Sequence, residues 1–228
     1  MPPFDIVSFD CYGTLVDWER GIGDAFAAAA SRAGLTLAAS EVLAAYAAIE
    51  PEVEAGPYRP YREVLAATAA RVARRLGWPL PEQDAGFLAE SLPSWPPFPD
   101  TNPALKCLSA AGIRLGILSN VDEDLLAGTR RCLGVSFDLV VTAERVRSYK
   151  PGHAHFEAAR AALGAGARWL HAAQSYFHDV VPAKALGIPV AWINRRAERA
   201  GAAGPPDAQF RNLTQLAEWL LGGLFPHD

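Results

Sequence analysis

Apolar and polar positions follow two different patterns along this chain. A short apolar run, Ile6-Val7-Ser8-Phe9, ends at Asp10, and Gly13 can form a tight turn after it, so a buried strand is predicted there. Over residues 18–91, apolar positions recur with helical spacing and no strand pattern is present. After Pro99, strand-like and helix-like segments alternate, which predicts an α/β fold with a parallel sheet and a helical insert after its first strand.

The helical insert is predicted to contain four helices and a return linker. Gly34 and Gly77 are expected to end the first and third helices, Ser40 to cap the second, and Pro51 to disturb its end. The Pro-rich segment 92–99 is expected to be extended rather than helical. The predicted helices cover residues 19–33, 41–50, 61–76 and 82–91.

The second half of the chain is predicted to alternate between helices and strands. Thr101 or Asn102 is expected to cap the first of its helices, with Pro103 at the first helical position. Residues 146–151 are expected to form a loop. Predicted strands cover residues 113–118, 137–141, 169–173 and 189–193, and predicted helices cover residues 103–111, 122–132, 154–163, 182–186 and 213–221.

Composition and charge narrow the class of protein. With 228 residues, 50% hydrophobic and 20% charged, the chain can form one core domain with a modest insert. A formal net charge of -4 and the lack of a basic run argue against a nucleic-acid surface, and no apolar run is long enough to span a membrane. No signal peptide is recognisable, and Cys11, Cys107 and Cys132 lack metal-binding spacing, so a cytoplasmic protein is expected.

Polar residues follow several apolar runs. Ligands of open α/β sheets bind beyond the carboxyl ends of the strands, so these residues are expected near one site. Taken singly, each of them is more readily a turn, capping or surface residue, and only their joint placement indicates a site. They are Asp10, Ser119, Asn120, Lys150 and Asp179.

This set suits a carboxylate nucleophile that forms an ester, which water then hydrolyses. Short hydrogen-bonding side chains at Thr14, Ser119 and Asn120 could hold the substrate's negative charge and receive a leaving group. Lys150 would keep Asp10 ionised. Asp179 would either hold Lys150 or orient water.

The order of these residues resembles the four motifs of the haloacid dehalogenase superfamily. The matching motifs are Asp10-Cys11-Tyr12-Gly13-Thr14-Leu15, Ser119-Asn120, Lys150-Pro151 and Asp179. The resemblance covers most of the chain. It implies a Rossmann-like catalytic core, residues 1–16 and 97–228, and a small helical cap domain, residues 17–96.

Two departures from the phosphatase pattern of that superfamily indicate a different reaction. Tyr12 stands where phosphatases carry the second Asp of the first motif, and Ser175 stands where they carry the first acid of the fourth. Together with Trp192-Ile193-Asn194-Arg195, these features look like the L-2-haloacid dehalogenase branch. The resemblance then implies that Asp10 displaces halide from C2 of a small carboxylic acid, without a metal or cofactor.

The resemblance to that branch is incomplete. Its members carry an Arg in the second cap helix, which residues 46–50 lack, and Phe156 and Tyr176 replace a Tyr and an Asn. Arg59 and Arg62 are candidates to replace the missing Arg, although a helix N-terminus with solvated charges is the plainer interpretation. The predicted substrate contacts are Cys11, Tyr12, Ser119, Asn120, Ser175, Tyr176, Arg59 and Arg62, and the predicted catalytic residues are Asp10, Thr14, Lys150 and Asp179.

Other interpretations stay open on the sequence. A magnesium-dependent phosphatase of a small phosphomonoester would be a rival enzyme, and a non-catalytic relative that binds a small acid would be a rival of another class. His178 could activate water or merely support Asp179. His153 and His155 lack a third ligand at useful spacing, so no metal is assigned. A homodimer is one option for the assembly.

Overall fold

A six-stranded parallel sheet organises the fold of this computed structural model, which describes residues 3–222. The strand order is β3-β2-β1-β4-β5-β6, so the first strand lies in the middle, between the second and the fourth. The α/β fold class with a parallel sheet is therefore confirmed. The strands are β1 (Ile6–Phe9), β2 (Arg114–Ser119), β3 (Leu139–Thr142), β4 (Trp169–Ala173), β5 (Val190–Ile193) and β6 (Ala208–Phe210).

The central strands are buried on both faces, which explains their nearly continuous apolar sequences. Every residue of β1, β4 and β5 is buried. Ser8 and His171 are polar exceptions in this core, and they face each other as register partners across β1 and β4. Parallel pairing also brings the carboxyl ends of β1, β2 and β4 to one edge of the sheet.

Ten α-helices are present within the described residues. Three 3₁₀ segments, Glu82–Asp84, Leu92–Ser94 and Arg130–Cys132, and a π-helical turn, Tyr176–Val180, complete the helical structure. The helices are α1 (Trp18–Arg32), α2 (Ala39–Glu54), α3 (Tyr61–Arg75), α4 (Phe87–Ser91), α5 (Thr101–Ala110), α6 (Glu123–Thr129), α7 (Ala143–Val146), α8 (Ala154–Leu163), α9 (Val181–Ala185) and α10 (Leu213–Leu220).

The chain divides into two compact units. The core unit comprises Met1–Val16, Pro97–Asn120 and Leu133–Asp228, of which residues 1–2 and 223–228 lie outside the described part, and it contains the sheet. The helical unit comprises Asp17–Pro96 and Val121–Cys132. Its interior includes an edge-to-face contact between Phe26 and Phe87, with ring centroids 5.0 Å apart. The assignment of residues 17–96 as a cap domain stays a prediction.

Some local predictions were wrong. The second helix begins after Ala38 rather than at a Ser40 cap and continues through Pro51 to Glu54. Asp100 occupies the N-cap position of α5, because the Thr101 hydroxyl donates to the Leu15 carbonyl oxygen at 2.7 Å instead.

Short elements were also mispredicted. Leu92–Ser94 is a 3₁₀ turn rather than extended, and segment 82–91 is interrupted before α4. The helix α7 was not predicted, and it lies between the predicted strand 137–141 and the predicted loop 146–151. The hydroxyl oxygen of Thr142 caps it by accepting from Arg145 N at 3.1 Å. The edge strand β6 was missed because three residues without an apolar run give no periodic signal.

Candidate active site

Asp10 lies directly after the central strand β1, and its backbone N–H donates to the Ala172 carbonyl oxygen at 3.1 Å. The turn that follows depends on Gly13, whose φ of 99° lies in the left-handed region that favours glycine. This turn brings Thr14 back to Asp10, so that its hydroxyl donates to Asp10 Oδ2 at 2.9 Å. The sequence motif therefore builds a carboxylate and its hydrogen-bond donor within five residues.

Lys150 occupies the centre of the charged cluster, with its side chain 1% exposed. The Nζ donates to Asp10 Oδ1 at 3.0 Å, to Asp179 Oδ1 at 2.6 Å and to the Leu118 carbonyl oxygen at 2.8 Å. All three ammonium protons thus have acceptors. A lysine with these partners is fixed in position and pairs with both carboxylates at once.

Asn120 holds the backbone of Lys150. Its Oδ1 accepts from Lys150 N at 2.7 Å, and its Nδ2 donates to the Lys150 carbonyl oxygen at 3.0 Å. The peptide bond that follows, Lys150-Pro151, is cis. The second and third motifs are therefore joined through one side-chain amide.

Asp179 lies in the π-helical turn after β4 and is fully buried. Its Oδ1 accepts from Lys150 and lies 2.9 Å from His171 Nε2. Its Oδ2 has no hydrogen-bond partner among residues 3–222. One oxygen of this carboxylate is consequently held from two sides, while the other remains available as an acceptor.

The pKa values of the two carboxylates are shifted in opposite directions. Burial raises the pKa of the Asp10 carboxyl, and the negative charge of Asp179 adds to this, although Lys150 and Thr14 oppose it. Burial would also raise the pKa of Asp179, but Lys150 and the hydrogen bond from His171 outweigh it and lower the pKa below its usual range. The pKa of Lys150 is raised because the two carboxylates outweigh the opposing effect of burial.

Ser119 and Cys11 lie close to the charged residues along the chain. The Ser119 side chain is buried, and its Oγ has no hydrogen-bond partner in the described part of the chain. Its carbonyl oxygen lies 3.2 Å from His155 Nε2, and burial lowers the pKa of His155 to about 3. Cys11 is fully buried, and its carbonyl oxygen accepts from Leu15 N at 2.8 Å, so it contributes packing and a turn.

The remaining predicted residues of the core unit follow β1 and β4. Tyr12 is half-buried and forms a β-bridge with Val16. Ser175 Oγ accepts from His178 N at 3.1 Å and lies 3.0 Å from His178 Nδ1. The Tyr176 hydroxyl donates to backbone carbonyl oxygens, including that of Gly201 at 3.1 Å, so its polar group is already engaged.

Arg59 and Arg62 both belong to the helical unit. Arg59 donates to the Val53 carbonyl oxygen at 2.9 Å. Arg62 forms one ion pair with Asp124 and a second with Asp122, in which the nitrogen and oxygen are 3.5 Å apart. Both guanidinium groups therefore have partners within that unit. Their role toward a substrate stays a prediction.

His171 and Ser8, which connect the sheet to Asp179, were not predicted from the sequence. Ser8 Oγ lies 2.8 Å from His171 Nδ1, and both side chains are fully buried. A signal was present in the sequence, since each is a hydrogen-bonding side chain inside an otherwise apolar strand. Gln174 was also missed, although its backbone N–H donates to Thr14 Oγ1 at 2.8 Å and so orients the Thr14 proton toward Asp10.

This arrangement can present an ionised carboxylate to an electrophilic carbon. The Lys150 ammonium and the Thr14 hydroxyl stabilise negative charge on that carboxylate. Tyr12 cannot supply the carboxylic acid that protonates an alkoxide leaving group.

A group of three or more His, Cys, Asp or Glu side chains that could hold a metal ion is absent from the described residues. No helix there is long and apolar enough to cross a membrane.

Comparisons with known proteins agree with this geometry. A family model described as haloacid dehalogenase-like hydrolase matches residues 4–174. An (S)-2-haloacid dehalogenase H-109 of Pseudomonas putida is 27% identical over an alignment of 237 positions, gaps included. The alignment covers 97% of this chain and 100% of that protein.

Solved structures give the same result at the level of the fold. A crystal structure of an L-2-haloacid dehalogenase is 25% identical with a TM-score of 0.80, covering 96% of this chain and 99% of that one. The L-2-haloacid dehalogenase from Xanthobacter autotrophicus with chloropropionic acid covalently bound has a TM-score of 0.82 at 22% identity, covering 97% and 99% of the two chains. With a family model matched over most of its length, this chain belongs to the haloacid dehalogenase-like hydrolase family.

Proposed function

We propose that the protein is a metal-independent hydrolase that displaces halide, or a similar leaving group, from C2 of a small carboxylic acid. The observation that carries the proposal is the pairing of Asp10 with Lys150 at 3.0 Å and Thr14 at 2.9 Å, with Tyr12 in place of a leaving-group acid. Halide departs without a proton, so a site that lacks this acid is suited to it. The name of the Pseudomonas putida relative supports the same substrate class.

The first step forms an ester on Asp10. A carboxylate oxygen of Asp10 attacks C2, a C–O bond forms, and the C–halogen bond breaks with its electron pair leaving on the halide. Attack from the side opposite the halide inverts the configuration at C2. Lys150 remains an ammonium throughout, because the two carboxylates raise its pKa, and it balances the charge of Asp179 once Asp10 has become a neutral ester.

Hydrolysis of the ester regenerates Asp10. Water attacks the acyl carbon of the Asp10 side chain, and a proton of that water passes to Asp179 Oδ2, which has no partner within residues 3–222. The developing oxyanion is stabilised by the Lys150 ammonium and the Thr14 hydroxyl. The acyl–oxygen bond then breaks, and the departing alkoxide of the 2-hydroxy acid takes the proton from Asp179. The second proton of the water leaves the Asp10 carboxyl for solvent, so Asp10 is again a carboxylate and keeps one oxygen from water.

The proposal includes the substrate contacts. Ser119, whose Oγ is buried without a partner among the described residues, is proposed to contact the substrate together with Cys11 and Tyr12. The other proposed contacts are Asn120, Ser175, Tyr176, Arg59 and Arg62.

The proposal also includes a cytoplasmic location, which the three free cysteines support. It includes assembly as a homodimer as well.

Halide release tests the reaction type. We expect the purified protein to release chloride or bromide from L-2-chloropropionate, monochloroacetate or bromoacetate, with an unchanged rate in EDTA. Asp10→Asn is expected to lower the rate by about 10⁴-fold or more, because it removes the nucleophile. Turnover of p-nitrophenyl phosphate that depends on magnesium would favour the phosphatase, and binding of a small acid without turnover would favour the non-catalytic relative.

Isotope labelling tests the covalent step. In a single turnover in ¹⁸O water, the heavy oxygen is expected in the Asp10 carboxylate, detected by mass spectrometry of the peptide that carries it. Lys150→Ala should slow this labelling because the charge that stabilises the site is lost. Label found only in the product, with Asp10 unlabelled, would mean that water attacks C2 directly.

A further inference from the structure

A line of buried polar side chains runs from the middle of the sheet to Asp179. Trp169 Nε1 donates to Ser8 Oγ at 2.7 Å, Ser8 Oγ lies 2.8 Å from His171 Nδ1, and His171 Nε2 lies 2.9 Å from Asp179 Oδ1. Ser8, His171 and Asp179 are fully buried. Because Ser8 and His171 are register partners in β1 and β4, the pairing of the strands fixes the distance between them.

The donors and acceptors along this line determine which nitrogen of His171 carries the proton. An indole N–H can only donate, so Ser8 Oγ accepts from Trp169. The ionised Asp179 carboxylate can only accept, so an imidazole with a single ring proton carries it on Nε2, and His171 Nδ1 accepts from the Ser8 hydroxyl. Nε2–H consequently donates to Asp179 Oδ1.

This hydrogen bond orients the Asp179 carboxylate. Oδ1 accepts from both Lys150 and His171, so rotation of the carboxylate would break two hydrogen bonds. Lys150 also holds Asp10, whereas His171 is joined to the sheet through Ser8. His171 can therefore keep Asp179 in place while the charge on Asp10 is lost and regained during the reaction.

We propose that His171 is a positioning residue for hydrolysis of the Asp10 ester: it holds Asp179 by Oδ1 so that Oδ2 accepts a proton from the attacking water. The inference rests on the proposed function, in which Asp179 is the base, and His171 acts through Asp179 without touching the substrate. Ser8 and Trp169 act one step further back, since they hold the Nδ1 side of the His171 ring.

Two substitutions of His171 separate positioning from packing. His171→Leu removes the donor in a side chain of comparable size, whereas His171→Gln keeps an N–H that can reach Asp179. In rapid-quench experiments with a haloacid, His171→Leu is expected to slow ester hydrolysis about tenfold or more, the effect of losing a hydrogen bond to a charged group. Ester formation should change less than about threefold, so that the ester accumulates on Asp10 in mass spectra. His171→Gln should recover most of the hydrolysis rate.

The pH profile gives a second readout. The titratable or charged groups that act on or beside Asp179 are Lys150, His171, Asp10, His155 and His178. Loss of the donor at His171 disfavours ionised Asp179, so the acidic limb of the rate constant for ester hydrolysis, a step in which Asp10 is uncharged, should move to higher pH in His171→Leu and return in His171→Gln. Equal slowing of both steps without this movement, or no rescue by Gln, would overturn the inference.

A measurement without substrate makes the two proposals separable. ¹⁵N NMR of the histidine rings should show the His171 proton on Nε2 in the wild-type protein, and a shifted Nδ1 resonance in Ser8→Ala, where Nδ1 loses its donor. A proton on Nδ1 alone would overturn the inference whatever the activity. The expected tautomer in a protein that forms no ester with any haloacid would refute the proposed function, and with it the hydrolytic role of His171.

Discussion

At the scale of single residues, burial shifts the pKa values of the two carboxylates around Lys150 to different net results. Asp179 has the ammonium and His171 as donors, and its pKa is lowered, whereas the pKa of Asp10 is raised by burial and by the charge of Asp179. Asp179 therefore stabilises the folded state above its ordinary pKa, and this contribution disappears as the pH falls. Ionised Asp10 has the opposite effect, since its folded-state pKa lies above the ordinary value.

Asp10→Asn should consequently stabilise the protein while abolishing turnover. Asn at this position can still accept from Lys150, and it removes a buried negative charge beside Asp179. We expect the Tm at pH 7 to rise by about 2–4 °C, the effect of about 1 kcal/mol in a protein of this size. The gain should shrink as the pH falls from 7 towards 4, because folded-state Asp10 takes up its proton above the ordinary Asp pKa of about 3.9.

Thermal melts from pH 4 to pH 8, followed by circular dichroism, measure this difference. Asp5→Asn is a control at the other end of β1, since the Asp5 side chain is 39% exposed, pairs with Arg168 and has a lowered pKa. It should lower the Tm slightly at pH 7 rather than raise it. An Asp10→Asn protein with a lower Tm at every pH would show that the buried charge is not destabilising.

At the scale of secondary-structure elements, two glycines in α1 have opposite surroundings. Gly21 is buried against the Trp95 ring, and a Cβ there would overlap its atoms. Gly23 has only the Ala39 Cβ nearby, at 3.8 Å. Both are interior helical positions, where alanine is intrinsically favoured over glycine by about 1 kcal/mol.

We therefore expect Gly21→Ala and Gly23→Ala to shift stability in opposite directions. Gly21→Ala should lower the free energy of unfolding by about 1–3 kcal/mol, because the extra methyl overpacks the contact with Trp95. Gly23→Ala, its matched control, should raise it by up to about 1 kcal/mol. Urea denaturation measures both, and a stabilising Gly21→Ala would mean that Trp95 can move away at little cost.

At the scale of the whole molecule, Asp122 joins segments that are distant in sequence. It occupies the N-cap position of α6, yet its side chain makes no capping bond to that helix. Its carboxylate instead accepts from Tyr61 N at 2.7 Å and Arg62 N at 3.0 Å, at the start of α3. Pro60, the N-cap residue of α3, makes no side-chain capping bond, so Asp122 supplies this cap from a separate segment of the helical unit.

Asp122→Ala should therefore lower the free energy of unfolding by about 1–2 kcal/mol, the usual cost of losing a helix cap. Asp122→Asn should lose less, because its amide oxygen can still accept one of the two N–H groups. Asp124→Ala is the control: Asp124 is 68% exposed and pairs with Arg62 at the surface, so its loss should cost no more than about 1 kcal/mol. Similar losses for Asp122→Ala and Asp124→Ala in urea melts would argue against the cap.

The sequence alone determined the fold class and the identity of the charged residues. Strands β1 and β4 were predictable because central parallel strands are apolar throughout, and α8 and β4 were predicted with the bounds that the structure has. Asp10 and Thr14 follow β1 and Asp179 follows β4, at the edge where the carboxyl ends of a parallel sheet meet, which made them identifiable. Lys150 follows the helix α7 and was identifiable from the order of the four motifs. Their catalytic roles remain part of the proposal.

Only the tertiary structure decided which groups each of these residues contacts. Lys150 and Asp10 are 140 positions apart, and hydrogen bonds over that separation depend on how the strands pair. The same pairing places His171 opposite Ser8, which local patterns do not report because periodicity describes one segment at a time. Short elements such as β6 and α7 also depend on neighbouring strands and caps, since three or four residues carry too little periodicity to specify them.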